Sequence, residues 1–581
     1  MKQILIVFFL LCIPLCFAQP IGHITLLAVS EATQTGSTAD LYIRTQEGSG
    51  GVYIETFPLT KLDTQLSTRF AEQIACDFLE KDCTTTDFFY TIRSDATILG
   101  GPSAGAAIAV ATVAMLDNLE LNESVAISGT INVGGLIGPV GSLVSKIDAA
   151  QKQGITKVLI PKASRFEKKP ETIFNEMLEN ASASFYVFNN DTNITEIDLY
   201  EYGRIIGVEV KEAGNLQEAV YEITEKWYPA DDNEIVPEKW YTNTMKTVAA
   251  DLCKRAQEYA LQSNETDVIN STIRAENATM YDNYYVAAST CFSQNIFLHT
   301  TLLNNISANE TQQKTEEINA TIAQLQQQLD VESLDTITDL QTFLVVNERI
   351  EEAKDTLREL YVNVAIGLYT DTTYQIAYAV ERLYSAEAWS TFFDNQDKEL
   401  ELDTDALRDS CIQKRAEAQE RFQYLTLIIE QPLQEIEEDL QQAEDKYDAE
   451  NYVLCLEIAS RAKANLDIML SLIGVADDKQ LKALVEERLK LIRQVINKQQ
   501  KKGYFPMLGY SYYEYAEFLK ESDPYSALIY SHYALEFSHL DMYFKEKQND
   551  YFTFDIEKFL YFLLGISVGV LITSILLRKK I

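Results

Sequence analysis

The chain has 581 residues, of which 46% are hydrophobic, and a formal net charge of −38. A surface this acidic repels nucleic acid and anionic headgroups, so we expect neither to be a partner. The length indicates more than one domain.

Residues 1–18 have the features of a secretory signal peptide. Lys2 supplies the positive start, residues 4–17 form the apolar centre, and Ala18 is a small residue suited to cleavage. The mature protein is therefore expected to be exported, and we exclude this segment from the fold.

Residues 19–228 alternate strand-like and helix-like segments, which predicts an α/β or α+β domain. Strand-like runs occupy residues 23–31, 39–46, 50–57, 87–94, 124–132, 155–161 and 207–213. Helix-like segments occupy residues 61–80, 103–117, 143–153 and 215–228.

After a linker at residues 229–237, residues 238–555 have few glycines and predict α-helical structure throughout. The 4-3-4 spacing of Ile318, Ile322, Leu325 and Leu329 predicts a coiled-coil hairpin. Later segments loosely resemble tetratricopeptide helix pairs, and an ordinary helical bundle is an equally good interpretation.

Residues 559–577 contain no charge, and their length predicts one transmembrane helix. Arg578, Lys579 and Lys580 follow it and place the C-terminus in the cytoplasm. The sequence thus predicts a single-pass protein of the cell membrane, with its N-terminal ectodomain outside the cytoplasm.

Cysteines and sequons agree with export. Six cysteines remain after the signal peptide, with no C-x-x-C pair, which favours disulfides over a zinc site. Pairing of sequence neighbours would give Cys76–Cys83, Cys253–Cys291 and Cys411–Cys455, although six cysteines allow fifteen pairings. Ten N-x-S/T sequons between Asn122 and Asn319 are possible glycan sites.

The stretch GGPSAGAAIAVATVAML, residues 100–116, places a serine at the start of a helix. The chain has only four histidines and no H-E-x-x-H or G-x-x-x-x-G-K-[ST] motif, so neither a zinc centre nor a P-loop ATPase is predicted. A serine nucleophile without histidine needs another base, and a desolvated lysine can be neutral near pH 7. Lys146, early in a helix and flanked by apolar residues, fits that role.

Residues 100–116 and 124–165 together resemble the proteolytic domain of Lon proteases. The family's GPSAG loop corresponds to Gly101–Gly105, its hydroxyl-Gly strand end to Ser128–Gly129, its glycine-rich turn and helix to Gly135–Lys146, and its V-L-I-P strand to Gly154–Pro161. The resemblance implies an α+β Lon proteolytic domain at residues 19–228. It is nearest to secreted, membrane-anchored archaeal Lon-like serine proteases that lack the ATPase.

The resemblance also implies the site. The nucleophile falls on Ser103, the base on Lys146 and the supporting hydroxyl on Ser128, while the backbone of Gly101, Pro102 and Ser103 forms the oxyanion loop. Two family features are missing: Gly100 stands where an acidic residue usually precedes GPSAG, and Thr130 stands where another acidic residue is usual. No cofactor and no metal are implied.

These observations predict an ATP-independent Ser-Lys endopeptidase that cuts unfolded or flexible extracytoplasmic polypeptides, and the Lon resemblance suggests a homo-oligomeric ring. Two alternatives stay open. One is a non-catalytic, membrane-anchored helical adaptor or scaffold with a degenerate protease domain. The other is a narrow processing protease, including one that cleaves its own linker near Pro229–Pro237.

Overall fold

The computed structural model describes residues 22–30, 35–170, 186–188, 194–263, 279, 282–304, 306–330, 332–366, 372–393, 397–427, 429, 433–473, 475, 477–545 and 547. The predicted signal peptide at 1–18 and the predicted transmembrane helix at 559–577 lie outside these residues. Among the helices within them, none combines the length and apolarity needed to cross a bilayer.

The N-terminal domain is built on a seven-stranded mixed sheet. The strands of the domain are β1 (Gly22–Val29), β2 (Gly36–Glu47), β3 (Val52–Thr60), β4 (Thr86–Leu99), β5 (Val125–Ile127), β6 (Thr130–Ile131), β7 (Ile137–Gly138), β8 (Lys157–Pro161), β9 (Phe166–Pro170), β10 (Tyr186–Phe188), β11 (Ile194–Asp198) and β12 (Glu209–Ala213). The order in the main sheet is β12-β8-β5-β1-β2-β4-β3; β10-β11-β9 and β6-β7 form two smaller sheets.

One half of the main sheet is parallel and deeply buried. Strands β1, β5, β8 and β12 run parallel, whereas β2 is antiparallel to both β1 and β4. The β5 residues are all buried, as expected for parallel strands covered on both faces. The alternating runs in the sequence thus correctly predicted an N-terminal α+β unit.

Within the described residues, five helices accompany these strands: α1 (Leu62–Phe78), α2 (Gly105–Asp117), α3 (Leu143–Lys152), α4 (Leu199–Ile206) and α5 (Leu216–Thr224). Helix α2 is buried on every side from Gly105 to Met115. Its small side chains (alanine, glycine, valine) let α1 and the sheet approach it closely, which fixes the position of the turn before it.

The rest of the described chain is helical. Its helices are α6 (Lys239–Ser263), α7 (Tyr284–Leu302), α8 (Ala308–Leu329), α9 (Ile337–Ala365), α10 (Thr372–Trp389), α11 (Thr404–Thr426), α12 (Gln434–Asp448), α13 (Tyr452–Leu472), α14 (Asp478–Lys502), α15 (Met507–Leu519) and α16 (Pro524–Phe537). The predicted apolar seam at Ile318, Ile322, Leu325 and Leu329 is buried, and α8 packs against α9. The prediction of a mostly helical second region is confirmed.

Three disulfides link the cysteines that are nearest in sequence, Cys76–Cys83, Cys253–Cys291 and Cys411–Cys455. The third joins α11 to α13. The simplest of the fifteen possible pairings is therefore the one that the structure forms.

The helical region is packed directly onto the N-terminal domain, with which it shares one hydrophobic core. A Cβ placed on Gly134 would lie 2.7 Å from Val495 of α14, so the two surfaces meet without space for a side chain. The linker at residues 229–237 is held against α14 as well, because the Asn497 amide donates to the carbonyl oxygens of Asp231 and Asn233 at 3.2 and 3.0 Å.

Candidate active site

The loop that carries Ser103 depends on a glycine conformation. Strand β4 ends at Leu99, and a short 3-10 turn, Pro102–Ala104, leads into α2. Gly101 has φ +106°, a region that residues with a Cβ rarely adopt, although open space surrounds it. Glycine is therefore needed at position 101 for its backbone conformation and not for lack of space. The turn places Ser103, half-buried, just before α2.

Two backbone hydrogen bonds hold this loop against the residues that follow β5. The Gly129 N–H donates to the Ser103 carbonyl, and the Ala106 N–H donates to the Gly129 carbonyl, both at 3.0 Å. The structure therefore brings together the predicted nucleophile and the predicted Ser128–Gly129 segment.

Ser128 itself is fully buried, and its hydroxyl has no hydrogen-bond partner within the described residues. A buried hydroxyl without a partner is costly, so native structures keep few of them, and a catalytic role is one reason for keeping one. The Thr130 hydroxyl, two residues on, is in the same condition.

Lys146 lies on the first turn of α3 and is only 4% exposed. Burial disfavours the charged ammonium and lowers its pKa from 10.5 to about 8, and the negative charge of Glu167 opposes part of this shift. A substantial fraction of the amine is therefore neutral at mildly alkaline pH, as a general base requires.

Glu167 on β9 also binds the start of the lysine helix. Its Oε2 accepts the Val144 N–H at 2.7 Å, which satisfies one of the free backbone donors at that end. In the described part of the chain, neither the Ser103 hydroxyl nor the Lys146 amine is hydrogen-bonded to another side chain. Catalytic hydrogen bonds commonly tighten only when substrate binds.

Two residues of α1 that the sequence did not single out anchor the Ser103 loop. The Asp63 carboxylate, itself buried, accepts the Gly101 N–H at 3.0 Å. The Ser67 hydroxyl donates to the Pro102 carbonyl at 3.4 Å. Asp63 thus supplies a carboxylate beside a loop whose own sequence has Gly100 at the usual acidic position.

The Gly101 contact bears on which N–H groups of the predicted oxyanion loop are free in this structure. Its N–H is bound by Asp63, and Pro102 has no N–H to offer. Of the three predicted backbone positions, only Ser103 retains an N–H that could bind an oxyanion. The signal for Asp63 was absent from the sequence, because an acid in the first turn of a helix ordinarily serves the helix dipole.

Part of the N-terminal domain matches a known protein family. Residues 72–185 match the family model "Lon protease (S16) C-terminal proteolytic domain". The matched Lon domain contains Ser103, Ser128 and Lys146. It ends before the helical region begins.

Curated Lon proteases are similar to part of this chain. The Lon protease of Fervidobacterium nodosum is 30% identical over 151 residues, which are 25% of this chain and 18% of that protein. The archaeal Lon protease of Methanothermobacter thermautotrophicus is 35% identical over 79 residues (14% and 12%), and the peroxisomal Lon protease homolog 2 of Caenorhabditis elegans is 34% identical over 93 residues (16% and 12%). The chain spans less than a fifth of the length of these relatives. The similarity to Lon proteolytic domains supports serine-type endopeptidase activity for this domain.

We expect Asp63→Ala to reduce kcat about 10- to 100-fold, because the Gly101 N–H loses a charged acceptor at the Ser103 loop. Asp63→Asn keeps an acceptor oxygen and should retain most of the activity. Steady-state hydrolysis of a fluorogenic peptide measures both variants.

The matched control for Asp63→Ala is Asp87→Ala. Asp87 is also buried and accepts two backbone N–H groups, from Ser49 and Gly51, at a turn away from Ser103. Equal losses of kcat in the two alanine variants would show that Asp63 has only a structural role.

Proposed function

We propose that this protein is an ATP-independent serine endopeptidase in which Ser103 is the nucleophile and Lys146 the general base. The observation that carries the proposal is the burial of Lys146, with a pKa lowered to about 8, in the same Lon-type domain as a serine on a loop that depends on Gly101. A surface lysine would stay protonated at neutral pH and could not accept a proton from a hydroxyl.

In the acylation step, the neutral Lys146 amine takes the proton of the Ser103 hydroxyl as its oxygen attacks the substrate carbonyl carbon. The carbon–nitrogen bond of the peptide then breaks. The resulting Lys146 ammonium returns its proton to the leaving amine, which departs as the first product. The acyl group remains on Ser103 as an ester.

The negative oxygen of the tetrahedral intermediate needs backbone donors that are already oriented. The Ser103 N–H lies at the start of α2, where the partial positive charge of the helix favours an anion. Asp63 keeps Gly101, two residues earlier, in the conformation that the turn requires.

Deacylation uses the same groups in reverse. Lys146, neutral again, removes a proton from a water molecule that attacks the ester carbonyl, and the Ser103 oxygen leaves and regains a proton from the ammonium. Ser128 is proposed to steady the Lys146 amine, a role that agrees with a buried hydroxyl lacking any other partner in the described residues.

We propose unfolded or flexible extracytoplasmic polypeptides as substrates. The sequence has no P-loop motif with which ATP hydrolysis could unfold a folded substrate. The three disulfides support an oxidising, extracytoplasmic compartment. The proposal also includes a signal peptide, a single C-terminal membrane anchor, glycosylation and a homo-oligomeric ring. This organisation resembles that of secreted archaeal Lon-like proteases.

Cleavage of a casein-type unfolded protein by the purified mature protein without ATP tests this function, together with labelling by a fluorophosphonate probe. We expect one labelled peptide, which contains Ser103. Absence of both cleavage and labelling would favour the adaptor hypothesis instead.

A further inference from the structure

Helix α11 of the helical region makes two direct contacts with the catalytic framework of the Lon-type domain. Arg421 and Tyr424 are three residues apart and therefore lie on the same face of the helix. Each reaches a different backbone segment next to a proposed catalytic residue. Neither contact could be anticipated from the sequence, because almost 300 residues separate the partners.

Arg421 binds the segment that follows Ser128. One nitrogen of its guanidinium donates to the Ile131 carbonyl at 2.8 Å and also to the Asn132 side chain. These residues lie two and three positions after Gly129, whose backbone hydrogen-bonds the Ser103 loop. Because the guanidinium is rigid and planar, it fixes the direction of this segment as well as its distance.

Tyr424 binds the turn that leads into the lysine helix. Its hydroxyl oxygen accepts the Gly141 N–H at 2.8 Å. The next residue, Ser142, adopts a left-handed conformation with φ +58° and accepts the Lys146 N–H through its carbonyl. The hydrogen bond to Tyr424 therefore holds the residue from which the Lys146 turn starts.

The Arg421 side chain is itself held by buried acids. It donates to Asp467 of α13 at 3.1 Å and to the neighbouring Glu420 at 3.1 Å, and it is only 2% exposed. The Cys411–Cys455 disulfide ties α11 to α13 along the same interface. Such a fixed group transmits the position of the helical region to the catalytic domain.

We propose that α11 positions both halves of the catalytic site, with Arg421 and Tyr424 as positioning residues. This inference rests on the proposed Ser103–Lys146 function. It assigns the helical region a part in catalysis itself, because among the described residues Tyr424 supplies the acceptor for the Gly141 N–H and Arg421 supplies a donor for the Ile131 carbonyl.

The test uses the full mature chain with Tyr424→Phe and Arg421→Lys. Phenylalanine keeps the aromatic ring of Tyr424 and removes only the hydroxyl group. Lysine keeps the positive charge of Arg421 and removes the planar guanidinium. We expect kcat to fall about 10-fold in each, with KM within twofold of wild type, because the contacts orient catalytic groups and do not touch substrate. Amide hydrogen exchange in residues 130–146 should accelerate at least threefold.

Matched controls come from the same region. Tyr533 donates its hydroxyl proton to Asn465, and Arg461 pairs with Glu348 and Glu457, so that the polar partners of both side chains lie within the helical region. Tyr533→Phe and Arg461→Lys should leave kcat and exchange in residues 130–146 unchanged.

Wild-type kcat and wild-type exchange in Tyr424→Phe would overturn the inference, as would equal losses in the Tyr533→Phe control. A wild type that cleaves no better than Ser103→Ala would reject the proposed function instead. In that case the exchange arm decides alone: faster exchange in residues 130–146 supports positioning by α11, and unchanged exchange rejects it.

Discussion

Ser103→Ala is expected to lower kcat for peptide-bond cleavage by ~10⁶-fold, the loss typical of removing a serine nucleophile. The reason is chemical, because no acyl-enzyme can form without the hydroxyl oxygen, whatever binding energy remains. Alanine fits the half-buried site, since the turn is held by backbone contacts at Gly101 and Gly129 and not by the serine side chain. Folding should therefore be unaffected.

Hydrolysis of a fluorogenic unfolded protein and labelling by a fluorophosphonate measure this effect independently. Thr84→Ala is the matched control, because Thr84 lies in the same domain and its hydroxyl donates to Asp82, outside the Ser103 loop. Cleavage by Ser103→Ala at the wild-type rate would rule out the proposed mechanism.

The strand and helix periods predicted the N-terminal domain well because its elements are short, regular and separated by glycines. Strand β5 and the Ser128–Gly129 pair fell where the sequence placed them, and the buried helix α2 followed from its run of small apolar residues. The burial of Lys146 was inferred from its apolar neighbours Leu143, Val144 and Ile147, all of which are buried.

The contacts that support this site were not predictable, because they join distant segments through polar side chains. Asp63 meets Gly101 across 38 residues, and Arg421 meets Ile131 across 290. Periodicity shows which face of a helix is apolar, and it carries no information about which remote carbonyl a polar residue on that helix will reach. The division into a catalytic and a helical domain likewise missed the core that the two share.

An acidic side chain outside the Ser103 loop lies near it, although position 100 of the loop itself is glycine. A loop that lacks its own acid is held from outside, by Asp63 on α1. Burial raises the pKa of Glu420 of α11 to about 7 against the opposing charge of Arg421, and the negative charges of Asp467 and Asp63 add to the rise. The charge of Asp63, which holds the Ser103 loop, therefore also acts on a residue of the helical region.

Lys146→Met should lower kcat by about 10⁴-fold, the upper end of what a general base contributes, because no other described group is assigned to accept the Ser103 proton. In the wild type, kcat/KM should rise with pH and level off above about pH 8, since the neutral amine predominates above the pKa of Lys146. Lys152→Met, an exposed change on the same helix, should leave both the rate and this pH profile unaltered.

Lys146→Met should also stabilise the fold at pH 7. The pKa of Lys146 is about 8 when folded and 10.5 in its ordinary state, so the ammonium form is penalised by folding. Below pH 8 the wild type carries the whole penalty, and between pH 8 and 10.5 the penalty disappears as the unfolded amine also loses its proton. Methionine carries none, so the free energy of unfolding of Lys146→Met should exceed that of the wild type by roughly 3 kcal/mol at pH 7.

This difference should shrink towards zero as the pH approaches 10.5, and urea titrations of both proteins at pH 7, 9 and 10.5 measure it. Loss of activity together with gain of stability is the pattern of a lysine kept buried for its chemistry. An equally inactive but less stable Lys146→Met would indicate that the ammonium is a structural cation, held by Glu167 and charged throughout the working pH range, and the base would then have to be sought elsewhere.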